Sequence, residues 1–108
     1  MVKLRQEDIK TKEVLSWKGI HLFHFTFSAC SMKTRIFMGL KKIDYTGHHI
    51  NLQKKENFSP YFQGITPRSL VPVLVDDGEV HIESNDILKY LDNKFPTLSL
   101  ILKIKKKR

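Results

Sequence analysis

Apolar positions along the chain fall into runs of two different periods. After Gly19, Ile20-His21-Leu22-Phe23-His24-Phe25-Thr26-Phe27 is rich in apolar and aromatic residues and bounded by small ones, so it reads as a buried strand. Beyond Ser28, Met32, Ile36, Phe37 and Leu40 recur at helical spacing, which predicts a helix from about Cys30 to Lys41 behind a run of small capping residues. Tyr45 to Leu52 alternates loosely and fits a second strand, parallel to the first across that helix. Val71 to Asp76 and Glu79 to Glu83 are two more apolar runs, joined at Asp77-Gly78, a dipeptide that accommodates the two positive φ values of a type I′ hairpin turn. Ser84-Asn85 then offers an N-cap, and Ile87, Leu88, Leu91 and Phe95 mark one face of a last helix that Pro96 stops.

The segments between these runs are polar. Gln53 to Leu70 carries Pro60, Gly64 and Pro67 as breakers, leaving room for a short helix around Pro60 to Gln63 inside a ligand-facing connection. Residues 1–18 read as an N-terminal extension, in which Ile9, Val14 and Trp17 allow a short helix. The order is β-α-β-(α)-β-β-α, and a parallel pair followed by a hairpin makes a four-stranded mixed sheet covered by helices. That is the α/β, thioredoxin-like arrangement, with the domain over 19–96 and a basic tail over 97–108.

Composition narrows the field. A chain of 108 residues is one domain's worth, and 41% apolar with 28% charged residues excludes a disordered or collagen-like protein. No apolar run is long enough to cross a membrane and no secretory leader opens the chain, so a cytoplasmic protein with no membrane contact is the expectation. The net charge of +8 suggests nucleic acid, but five of those charges lie in Lys103, Lys105, Lys106, Lys107 and Arg108, and the rest of the chain carries +3. No aromatic residue interleaves with that run to stack on bases, which makes nucleic acid a weak alternative. Cys30 is the only cysteine, so an internal disulfide and a dithiol redox pair are both excluded. The adjacent His48 and His49 point to opposite faces of a strand, and His21 and His24 sit no better for a shared ligand set, so no metal is expected.

Three segments resemble the N-terminal, glutathione-binding domain of the cytosolic glutathione transferases. Ser28-Ala29-Cys30-Ser31-Met32-Lys33-Thr34-Arg35 is similar to the strand-to-helix turn of the serine-type classes, including zeta-like and bacterial β-etherase-like members. Thr66-Pro67-Arg68-Ser69-Leu70-Val71-Pro72-Val73-Leu74 resembles the family's Asn-Pro-x-Gly-x-Val-Pro-x-Leu segment, with Thr66 and Ser69 in place of asparagine and glycine. Glu83-Ser84-Asn85-Asp86-Ile87-Leu88-Lys89-Tyr90-Leu91 resembles its Glu-Ser-x-x-Ile-x-x-Tyr-Leu helix start. The resemblance covers residues 19–96. Family members carry a second, all-helical domain that supplies the electrophile pocket and much of a dimer interface. Its absence after residue 96 implies either a truncated reading of a longer protein or a single-domain one.

The resemblance implies glutathione as co-substrate, with its thiolate stabilised by Ser28 for transfer to an electrophile. It implies a cis peptide before Pro72, with the Val71 backbone pairing with the cysteinyl part of glutathione. It places the γ-glutamyl carboxylate at Ser84, the α-ammonium at Glu83, and the glycyl end near Asn57. The residues alone leave blander readings open: Ser28 as a plain helix cap, Pro72 as the start of an edge strand, Glu83-Ser84 as hairpin end and cap. Cys30 reads as a buried, inert thiol, although its place in the first helical turn also allows a glutathione-dependent thiol-disulfide enzyme. A non-catalytic interaction module, docking a helical domain or a second copy through the apolar face, is the remaining alternative.

Overall fold

The computed structural model describes residues 3–95, so the expected helix stop at Pro96 and the basic end lie outside the described residues. Strands β1 (Ile20–His24), β2 (Thr46–His49), β3 (Val73–Asp76) and β4 (Glu79–Ile82) form one sheet in the order β2-β1-β3-β4. β1 and β2 run parallel, with Leu22 opposite Gly47, and β3 is antiparallel to both β1 and β4. Helix α1 (Ala29–Leu40) joins the parallel pair, the four-residue α2 (Pro60–Gln63) lies in the polar connection, and α3 (Ser84–Lys94) follows β4. This is the thioredoxin-like α/β fold with a four-stranded mixed sheet. The hairpin turn has φ of 47° at Asp77 and 85° at Gly78, the positive pair its dipeptide suits.

Alternation along the strands sends side chains to two cores. Leu22 and Leu74 point to the side of α1 and α3, where they meet Phe37, Met38, Ile43, Ile87 and Leu91. Phe23, Val73 and Val75 point the other way, onto Phe62, Ile65, Ile9 and Val14. A fully buried lysine, Lys41, ties the ends of α1 and α3. Its ammonium lies 2.8 Å from Asp92 and donates to the Phe95 carbonyl at 2.5 Å, which keeps the buried charge paired.

Residues 3–17 form two short 3-10 turns, Gln6–Asp8 and Lys12–Ser16, instead of the expected short helix. Ile9 and Val14 are buried in the core opposite the two long helices. Backbone contacts hold this strap in place. The amides of Lys10 and Thr11 both donate to the Gly64 carbonyl, at 2.7 and 3.1 Å, and the Thr11 hydroxyl donates to the Tyr61 carbonyl at 2.5 Å. A Cβ on Gly64 would lie 2.2 Å from the Thr11 hydroxyl, and one on Gly78 would lie 2.2 Å from the Leu15 carbonyl oxygen. At its start the strap runs beside β4, where the Leu4 amide donates to the Val80 carbonyl at 2.9 Å and Lys3 sits opposite His81.

Several boundaries differ from the sequence reading. β1 ends at His24, because the chain turns there with the Ser28 amide bonded to the Phe25 carbonyl at 3.1 Å, leaving Phe27 75% exposed. β2 is limited to Thr46–His49, the stretch in register with His21–His24. Ser84 does not cap α3. It is the first helical residue, and Glu83 occupies the cap position without a side-chain bond. Pro72 precedes an interior strand, since β3 lies between β1 and β4, so the edge-strand reading does not apply.

Candidate functional site

The two long helices begin differently. At α1, Ser28 has extended backbone and its hydroxyl oxygen accepts from the Ser31 amide at 3.2 Å, so the cap is made by the residue's own side chain. That bond uses the oxygen as acceptor and leaves the hydroxyl hydrogen free to donate. At α3, Glu83 has φ of 72° and ψ of 111°, a conformation L-residues adopt at a cost of about 1–3 kcal/mol. No side chain caps the first amides of α3, so the partial positive charge of the helix start is open to an anion.

A cleft of about 110 Å³ opens at this helix start. Its walls come from Val71-Pro72, from Glu83 and Ser84, from Thr66 and Arg68, and from Cys30 at the first turn of α1. The Val71–Pro72 peptide is cis, as the resemblance implies. Val71 precedes the paired stretch Val73–Asp76, so the sheet does not claim its backbone polar groups. The Glu83 carboxylate is in ion-pair contact with the Arg68 guanidinium, both half-exposed on the cleft wall. Ser69 adopts φ of 57° while buried.

Four of the expected site residues, Val71, Pro72, Glu83 and Ser84, meet in this cleft. Ser28 is half-buried next to it and does not line it. Asn57 is buried away from it, donating from its side-chain amide to the Ser69 carbonyl at 3.0 Å. Cys30 corrects the sequence reading. It is exposed and forms part of the cleft wall, because side chains in a helix lean toward its N-terminus and at this position that direction faces the cleft. Thr66 and Arg68 stand in the quoted Thr66–Leu74 segment, yet only the folded chain shows that they border the same space.

The histidines make a separate polar group. His21 Nε2 lies 2.9 Å from the Lys18 carbonyl, which can only accept, so that nitrogen carries a hydrogen; when the His21 ring is neutral its Nδ1 accepts from His48 Nε2 at 2.9 Å. Burial, with the His21 charge second, holds the His48 pKa below its ordinary value. His24 is lowered by burial and then by Arg35, and His81, whose ring is tilted against that of Tyr90 with centroids 4.1 Å apart, is lowered by burial despite the nearby Glu79 carboxylate. Among the described residues no group of three or more His, Cys, Asp or Glu stands together as a metal site. No described helix is long and apolar enough to cross a membrane.

Comparison with known proteins agrees with the fold. The family model for the glutathione S-transferase N-terminal domain matches residues 22–99. A zeta-class glutathione S-transferase of Euphorbia esula is 42% identical over 77 residues, 71% of this chain and 34% of that protein. A Sphingobium β-etherase structure superposes with a TM-score of 0.68 at 34% identity, covering 71% of this chain and 32% of its own. The holo structure of a maleylpyruvate isomerase, a bacterial zeta-class enzyme, gives 0.69 at 32% identity, covering 71% and 36%. The chain thus spans about a third of the length of these relatives. By sequence and by fold, it belongs to the glutathione S-transferase N-terminal domain family.

Proposed function

We propose that the chain binds glutathione in the cleft at the start of α3 and stabilises its thiolate for transfer to an electrophile. The observation that carries this reading is one cleft holding both the unclaimed backbone of Val71 and the uncapped start of α3. A peptide-like ligand adds its own backbone to the former, and a carboxylate binds the latter. The Glu83 carboxylate receives the ligand's ammonium beside Arg68. Ser28, half-buried with its hydroxyl hydrogen free, donates to the sulfur, which lowers the cost of the thiolate. Asn57 supports the glycyl end through the loop it fastens to Ser69. The protein acts in the cytoplasm, and the transfer step draws on a helical domain to position the electrophile.

Isothermal titration with reduced glutathione tests this. Saturable binding is expected, weakened about tenfold in Ser84→Ala. Ser28→Ala should bind with similar affinity while the ultraviolet thiolate absorbance of bound glutathione falls. No binding at millimolar glutathione by the folded chain would overturn the reading.

A second reading, an interaction module, is favoured by the outer face of α1. Phe27, Met32, Ile36 and Leu40 are 46–75% exposed there and border an open groove with Leu88. Its partner is a helical domain or a second copy of the chain, and concentration-dependent dimerisation in sedimentation would favour it.

A further inference from the structure

We propose that Cys30 is a modification site: oxidised glutathione held in the cleft exchanges with it and leaves one glutathionyl group in mixed disulfide, closing the cleft. The proposal rests on the reading of this cleft as a glutathione site. Unlike a disulfide-reducing enzyme, it requires a single stoichiometric capping and no turnover.

Cys30 is exposed and shares a cleft of about 110 Å³ with Val71 and Ser84, so a tripeptide anchored on those two has its sulfur-bearing residue beside the Cys30 thiol. Thr66 supplies an independent mark of a ligand. It is only 1% exposed, yet it lines the cleft. Its backbone amide and carbonyl are taken by Phe62 and Ser69, and its hydroxyl is bonded to no described residue. A hydroxyl that no residue bonds and that opens onto a cleft wall is a place for a polar ligand to bond.

The exchange balances. Cys30 loses its proton to water and its Sγ attacks one sulfur of the oxidised glutathione disulfide. That S–S bond breaks as the Cys30–glutathionyl bond forms. Cys30 is oxidised, and the departing half is reduced and leaves as a thiolate that takes up a proton. Excess reduced glutathione runs the step backwards and reopens the cleft. Binding and capping are therefore mutually exclusive, and the ratio of oxidised to reduced glutathione sets the occupancy of the site.

The test is intact-mass kinetics of the whole chain with oxidised glutathione, beside bis(2-hydroxyethyl) disulfide, which has the same reactive bond without the tripeptide's charges. One glutathionyl adduct is expected, mapping to Cys30 and forming at least about tenfold faster than the hydroxyethyl adduct, since binding raises the effective concentration. S-Methylglutathione, which cannot exchange, should slow the first reaction and leave the second alone. Equal rates for the two disulfides, or no effect of the competitor, would overturn the proposal and make Cys30 an ordinary surface thiol. Titration with reduced glutathione separates the two claims. Binding without preferential capping sinks this inference alone, and absence of binding sinks both.

Discussion

The two sides of the sheet are covered by different means. On one side α1 and α3 lay regular apolar faces over Leu22 and Leu74, and the cover is held by side-chain packing. On the other side the strap of residues 3–17 and the short α2 do the same work with little regular structure. Here main-chain atoms approach main-chain atoms, at Gly64 beneath Thr11 and at Gly78 beneath Leu15. A cover of packed side chains is forgiving of shape and sensitive to lost volume. A cover of close backbones is sensitive to added volume, down to a single methyl group.

Opposite substitutions break the two covers. Leu74→Ala, at a site with no exposure between the helices and the sheet, should lower stability by about 2–5 kcal/mol in urea titrations. Gly78→Ala adds a methyl 2.2 Å from the Leu15 carbonyl at a φ of 85°, and should cost about 1–3 kcal/mol while loosening the strap. Greater proteolytic sensitivity of residues 3–17, with helical circular dichroism retained, would show that the loss is confined to that side. Gly78→Ala behaving like wild type would show that backbone approach does not hold the strap.

Acid sharpens the contrast. His24, His48 and His81 have folded pKa values below the ordinary 6.5, so the unfolded chain binds more protons as pH falls through that value. Stability should be complete above about pH 6.5 and decline as the pH drops toward the lowered folded values. His48 stacks on Trp17 of the strap at 4.8 Å, so Trp17 fluorescence should register the change on the strap side. A flat melting temperature between pH 7 and 5 would contradict these shifts. The smallest effect expected is a gain. Ser69→Gly removes a serine from left-handed backbone at φ of 57° and should stabilise the chain by about 1 kcal/mol in the same titration.

The same contrast explains what the sequence made legible. Regular packing leaves a period, so α1, α3 and the Asp77-Gly78 hairpin, and with them the sheet topology, could be read from the positions of Phe37, Ile87 and Leu91. The strap leaves none, because its attachment points are the Gly64 carbonyl and the space above two glycines. Of the cleft, Val71-Pro72 and Glu83-Ser84 were legible as motifs. Ser84 was misplaced by one position, because a strained Glu83 takes the cap. The setting of Cys30 was hidden because its neighbours Thr66, Arg68 and Val71 come from a distant segment, and no local spacing reports which way a first-turn side chain will lean.

The pairing of Lys3 and Leu4 along β4 also bears on how the protein behaves in a crowd. A sheet grows between molecules only where a strand shows an unsatisfied rail of amides and carbonyls. With the β4 rail partly covered by the chain itself, the other flank is β2, four residues long and carrying Gly47 and two histidines. Removing the first five residues would open a second rail, and with two free flanks each molecule becomes a link able to propagate a ribbon, where before it could only end one.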